Sequence, residues 1–567
     1  MSLEKTKENW LIKLIKLFRD YTANQVFNSS EKEGANPFLE RTIENWLMSV
    51  NELGYQMPFS QLLLNEGYSV LHQSKHTAFE QGKDIIALDK KGIPCAFQLK
   101  GGNITNARWR AEVKVEVEEL IDYKIVHPSV DKDKKHRSYL VTNGELDETV
   151  RLAIDNLNSG KWKDAPLIVI TRGELLNKFV KLSSNFIPRK VSDYKSFLDL
   201  YFSDGRELID EKQYTNFIKS VLRLNEQNLS KEERRRNITT AILFTSYIIS
   251  KFKKKDNHIA IIQTLTLLCA YIFALVEKHN LNNKYWLNSF KILWKEIMLT
   301  GQFLQEEINQ GGLIKLVTSI WDGELGSYRK HLASSYLFAY KIAQLIEGDT
   351  NWKDIATNEF FLKLKETLRI WGEASLFSFI LVFLYVNKSS AKGDLAELFK
   401  PLYTPIEAII KFNGRKSEVG MLSPYYNITT AIKRKFGLLE EPIDENFARR
   451  SFMIKPLIDI LARYGKRKEL EGYWREITYI EQEDFTPDEL WRHFLWRCDI
   501  GENKSRFPKQ SESWKELAKD AKKIDLNLIP KSIQKHSYFL PFFLLVYPHR
   551  INTNYIKFLD EAIQKVS

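Results

Sequence analysis

No proline occurs between Pro188 and Pro401 in this chain of 567 residues. So long a stretch without the strongest backbone breaker, rich in Leu, Ile, Phe, Lys and Glu, constrains the fold to helices. Segments such as Asn216 to Leu224 place apolar residues at helical spacing. Residues 191–567 are therefore expected to form a large all-α region, and the prolines that return at Pro401, Pro405 and Pro424 mark a place near 400 where it would divide into subdomains. No repeat of fixed period is visible, so no named helical-repeat architecture is expected. Ile259 to Val276 approaches the length that spans a bilayer. It contains Gln263, Thr264 and Thr266 and sits among amphipathic segments, so it reads as a buried helix and no membrane partner is expected.

Before Pro188 the texture differs. Residues 56–190 alternate strand-like and helix-like segments, the pattern of an α/β unit of mixed pairing. Strands are expected at Tyr68 to His72, Ile85 to Leu88, Cys95 to Leu99, Ser138 to Thr142 and Pro166 to Thr171. A helix is expected over Asp147 to Leu157, with acids in its first turn and Asn158-Ser-Gly160 ending it. Ala111 to Val117 is ambiguous, because it alternates like a strand while the following residues continue as a helix. Residues 1–55 are expected to be helices covering one side of the sheet, from the spacing in Asn9 to Phe18 and Glu40 to Met48.

The chemistry concentrates in Glu80 to Gly102. Ile85 to Leu88 and Cys95 to Leu99 are apolar runs, and Asp89-Lys-Lys-Gly92 supplies a turn whose glycine is free to take positive φ, so the segment predicts a β-hairpin. Side chains alternate along a strand, which puts Gln98 and Lys100 on one face and Phe97 and Leu99 in the core. Asp84, where the first strand begins, comes beside that face through antiparallel pairing. An acid, an amide and a lysine held together suit metal-assisted cleavage of a phosphodiester. Asp84 and Lys100 are expected to face an open site.

The order of an aspartate, a strand, a turn and Gln-x-Lys, followed by Ser138 to Gly144 and then Leu167 to Leu175, resembles the PD-(D/E)XK nuclease superfamily, closest to Mrr-like restriction endonucleases. Gly67-Tyr-Ser-Val-Leu upstream also fits, and the resemblance covers roughly 56–179. It implies a restriction-endonuclease-like α/β domain and favours helix for Ala111 to Val117. It further implies Mg2+ or Mn2+ held by Asp84 and Gln98, with Lys100 assisting the attacking water. The activity implied is cleavage of DNA, in restriction or anti-phage defence, with the helical region sensing a trigger, binding a partner protein or self-associating. An amide oxygen is a poorer magnesium ligand than a carboxylate, so another acid is expected at the site. The family often takes one from the first helix; here the candidates are Glu80, ranked first for its nearness to Asp84 in sequence, then Glu66, Glu52 and Glu44. Gln98 and the missing helix glutamate motivate an alternative, a catalytically inactive nucleic-acid-binding or scaffold protein.

The net charge of +12 favours an anionic partner. Trp109 between Arg108 and Arg110 would stack on a base while the arginines hold phosphates; as an ordinary helix tryptophan it would be partly buried instead. The basic runs at 131–137, 231–236 and 251–255 read as surface by default. Cys95, Cys269 and Cys498 are isolated, which argues against zinc and for a reducing compartment, and the N-terminus lacks a secretory pattern, so the cytoplasm is expected. Lys83 and Lys416 lack the glycines of a nucleotide-binding loop, so ATP use is not expected.

Overall fold

A computed structural model describes residues 37–74, 83–131, 134–183, 191–310, 320–348, 367–389, 395–417, 420–426, 428–435, 437–438, 449–496, 503–506 and 513–566. The expectations for Asn9 to Phe18 and for Glu80 lie outside the described residues.

Helices α1 (Pro37–Ser49) and α2 (Glu52–Asn65) lead into strand β1 (Ser69–Gln73). Then come β2 (Ile85–Leu88) and β3 (Pro94–Lys100), joined by the expected turn, in which Gly92 has φ 72° and Asp89 Oδ1 accepts from the Lys91 and Ile93 amides at 2.8 Å. A helical turn Asn106–Arg108, a π-helical stretch Trp109–Val113 and a helix Lys114–Asp122 run on as one rod, α3, so the ambiguous stretch is helical. β4 (Arg137–Thr142), α4 (Glu148–Ser159), β5 (Leu167–Ile170) and α5 (Arg172–Ser183) follow. The five strands form one sheet in the order β1-β2-β3-β4-β5, antiparallel from β1 to β3 and parallel from β3 to β5. β3 is thus the central strand, buried along its length.

Alternation gives the sheet two distinct faces. On one, Ile85, Phe97, Leu99 and Val141 belong to the larger core. On the other, Ile86, Ala96 and Leu140 pack with Trp109, Val113 and Val117 of α3 and with Val150 and Ile154 of α4. Asp84, Gln98 and Lys100 have the parity of Ile86 and Ala96, so they continue this second face toward the C-terminal end of β3, under α3.

The rest is mainly helical: α6 (Val191–Tyr201), α7 (Glu211–Val221), α8 (Lys231–Lys253), α9 (His258–His279) and α10 (Leu287–Asn309), then further helices to Thr553–Gln564. α9 contains the long apolar run, and every residue from Ile259 to Val276 is buried by protein, leaving no face for lipid. Two of its polar side chains find partners inside: Thr264 donates to the Ala260 carbonyl at 2.6 Å and Gln263 to Glu211 at 2.7 Å.

One expectation for this region needs correction. It is not wholly helical, because Arg450–Ser451 pairs with Glu481–Gln482 and Asp484–Pro487 pairs with Asn503–Arg506. Ladders this short carry no period to read, and Pro487 argued against a strand. Near 400, Pro401 and Pro405 lie inside the helix Leu395–Asn413, whose Leu402, Ile406 and Ile409 are buried. Packing of that face holds the helix together where two backbone donors are missing.

Contacts also cross residue 190. α2 is buried from Gly54 to Leu64 because the sheet lies on one side of it and α8 and α10 on the other. Ser289 of α10 donates to Gln61 at 3.1 Å, Arg235 of α8 donates to the Leu64 carbonyl at 3.2 Å, and Trp46 packs on Tyr247 with centroids 4.6 Å apart. Part of the basic run 231–236 is thus committed to structure: Arg234, also buried, donates to the Glu226 carbonyl at 2.7 Å.

Candidate active site

The register pairs Ile85 with Phe97, which sets Asp84 across from Gln98 at the open end of the hairpin. The Asp84 amide donates to the Phe97 carbonyl at 2.9 Å, and its Oδ2 accepts the Leu99 amide at 2.6 Å, extending the ladder just before β2 begins. Cross-strand neighbours on one face have Cβ atoms about 5 Å apart. Asp84, Gln98 and Lys100 are therefore brought together by backbone pairing, whatever their side chains do.

α3 supplies the roof. Its apolar positions Trp109, Val113, Val117 and Leu120 lie on the sheet, and this rotation turns Glu112 and Glu116, one helical turn apart, toward the end of β3. Lys100 Nζ lies 2.9 Å from Glu112 Oε1 and 2.5 Å from Glu116 Oε2. Gln98 Nε2 donates to the same Glu116 oxygen at 3.2 Å. Gln98 is 6 % exposed, and its Oε1 has no hydrogen-bond partner among the described residues.

The electrostatics follow from this enclosure. Burial pulls Lys100 toward its neutral form, but hydrogen bonds with Glu116 and Glu112 outweigh it and its pKa is raised. The same hydrogen bond holds Glu112 below the usual carboxylate range. Lys83, beside Asp84, has its pKa lowered to about 8, chiefly by burial, with Glu119 acting in the other direction. Tyr55 of α2 is fully buried, and its hydroxyl accepts the Lys100 amide at 3.1 Å and lies 2.9 Å from the Lys100 carbonyl and 3.0 Å from that of Val141. Desolvation raises its pKa well above that of a free tyrosine, so it stays a neutral plug at the ends of β3 and β4.

The expected open site is corrected: Asp84 and Lys100 are both buried, and carboxylates of α3 close on Lys100. Of the candidate acids, Glu66 is tied to Lys178 of α5, 2.5 Å away, beside Phe97 on the opposite face of the sheet. Glu44 is carried by α1, which packs on α5 and α8. Glu52, at the start of α2, acts electrostatically on both Tyr55 and Lys100. Trp109 is 3 % exposed within the α3 core, so its ring has no open face for a base and the expected stacking is corrected. Arg108 ties the loop after β3 to α3, donating to the Gly101 carbonyl at 2.5 Å, while Arg110 is exposed. Glu112 and Glu116 were missed from sequence. The available signal was their four-residue spacing after Gln-x-Lys, hidden because the stretch also alternates like a strand.

Among the described residues no three acidic, histidine or cysteine side chains form a ready-made metal cluster. An amide oxygen is outside that class of donor, and the buried, unpartnered Gln98 Oε1 on the face of Asp84 is what a hard cation requires. With the Asp84 carboxylate on the same face and carboxylates on α3, the residues present fit Mg2+ or Mn2+. Comparison of the chain with protein-family models, with curated proteins and with solved structures found no match.

Proposed function

We propose that this chain is a metal-dependent endonuclease that hydrolyses phosphodiester bonds of DNA. The observation that supports it best is the register that sets Asp84 across from Gln98, with Lys100 next on the same face of the central strand and the Gln98 oxygen without a partner among the described residues. Mg2+ or Mn2+ held by Asp84 and Gln98 would neutralise the charge that develops on the phosphate oxygens. Lys100 would donate a hydrogen bond to the attacking water and hold it in line with the leaving oxygen. Asp84 keeps the Leu99 amide engaged and so fixes the end of β3. The chain's net charge of +12 and exposed Arg110 favour an anionic substrate. Restriction or anti-phage defence, with the helical region as sensor or partner surface, is the setting implied by the resemblance to Mrr-like enzymes.

A non-cutting DNA-binding protein is the second reading, and one observation favours it: Lys100 is sequestered, its side chain 5 % exposed between two carboxylates. The two readings separate in a cleavage assay of the purified full chain on duplex DNA, single-stranded DNA and RNA, with Mg2+, Mn2+ or EDTA. Cleavage that needs the divalent ion and disappears in Asp84→Asn supports the enzyme, since the asparagine still accepts the Leu99 amide and spares the fold. Wild-type rates in Asp84→Asn, or no cleavage of any substrate, would sink it.

A further inference from the structure

Among the described residues, the site has one acid at the start of β2, Asp84, and an unusual gathering around a second. Glu116 Oε2 receives both Lys100 Nζ and Gln98 Nε2, whereas Glu112 turns one oxygen to the lysine and the other to Arg108, 3.7 Å away. The amide of Gln98 is thus aimed at Glu116, with its oxygen buried and unpartnered beside it. A half-turn about the broad terminal torsion of glutamine exchanges Nε2 and Oε1. Two oxygen donors then face one spot, on the strand face that also carries Asp84. That spot now borders the ammonium of Lys100.

We propose that Glu116 is the acid that completes the divalent-cation site with Asp84 and Gln98, and that Lys100 is the internal cation that holds its place until the metal arrives. This rests on the nuclease reading for its purpose, though not for its geometry. Metal and lysine compete for one carboxylate, so metal entry releases Lys100 from Glu116 toward the water it is to position. Glu112, half exposed at 48 %, stays as the lysine's second partner. The α3 rod thereby couples loading of the site to its arming.

The test reads metal binding directly, without DNA. Free Mn2+ is followed by electron paramagnetic resonance as it is titrated with the full chain, and the melting temperature is measured with and without Mn2+. Glu116→Gln, which keeps hydrogen-bonding atoms for both Lys100 and Gln98, is expected to weaken Mn2+ binding tenfold or more and to remove the Mn2+-dependent rise in Tm. Glu112→Gln is expected to change affinity less than threefold. Lys100→Met removes the competing cation, so it should bind Mn2+ several-fold more tightly while abolishing cleavage. Wild-type Mn2+ affinity in Glu116→Gln, or unchanged or weaker binding in Lys100→Met, overturns the proposal. The expected Mn2+ pattern in a chain that cuts no nucleic acid would defeat the nuclease reading alone, and active cleavage with Mn2+ binding indifferent to Glu116 would defeat this inference alone.

Discussion

Alternation along β3 puts opposite demands on adjacent residues. Gln98 and Lys100 must keep polar atoms satisfied under a helix, whereas Phe97, next to Gln98 on the strand, is 1 % exposed and serves only packing. Phe97 stacks on Tyr139 with centroids 4.5 Å apart and meets the edge of Phe59 at 5.6 Å. Truncation to alanine leaves a void that the sheet cannot close, because the flanking backbone is paired on both sides. Phe97→Ala should therefore lower stability by roughly 3 to 5 kcal/mol, as large-to-small changes in cores do. Denaturant melts of the full chain would check it, and a loss below about 1 kcal/mol would mean that Phe97 is not the central core residue that its burial indicates. Its neighbour answers differently: Asp84→Asn, tested above for activity, should cost little stability because the Leu99 amide keeps its acceptor.

At the scale of elements, the hairpin was legible because three local signals agreed: two apolar runs, a glycine turn, and the alternation of Phe97, Gln98, Leu99 and Lys100. The roof was not. Glu112 and Glu116 become site residues only through the rotation of α3, which depends on how Val113 and Val117 pack and on the π-helical turn before them, and neither is written in local spacing. The loop after β4 lies between these cases. Thr142-Asn-Gly144 was visible as a motif, but its work is tertiary: Asn143 accepts the Gly102 amide at 2.7 Å and donates to the Leu47 and Val50 carbonyls at 2.7 and 2.8 Å. Thr142 donates to the Gly102 carbonyl at 2.7 Å, and a Cβ on Gly144 would overlap that same carbonyl. Backbone meets backbone there, so neither side can yield by a rotamer change. Gly144→Ala should push the 101–103 loop away from β4, lowering stability by roughly 1 to 3 kcal/mol and loosening Lys100 at the end of β3. A wild-type Tm in this variant would show that the two loops do not meet as closely as described.

For the whole molecule, the change of texture at Pro188 sets residues 56–190 apart as an α/β unit, but packing ties α2 to the helical region as well as to the sheet. α2 has no solvent face: it is buried from Gly54 to Leu64, with Gln61 and Leu64 bonded to residues of α10 and α8. Its N-terminus also reaches the site, since a Cβ on Gly101, next to Lys100, would sit 3.2 Å from the Glu52 amide nitrogen. A helix wedged between two layers transmits displacement of one to the other, so binding at the helical region would be felt at Lys100 through α2 without a flexible linker. The same wedge decides what truncation does. A fragment of residues 37–190 would expose the outer side of α2 together with Trp46, which packs on Tyr247 in the intact chain. It is expected to bind a hydrophobic dye and to melt without a cooperative transition, whereas the full chain melts cooperatively. Circular dichroism and dye fluorescence of both would decide between the packing and the sequence texture. A fragment that melts cooperatively and cuts DNA like the full chain would mean that α2 holds the sheet unaided and that the helices are a separable attachment.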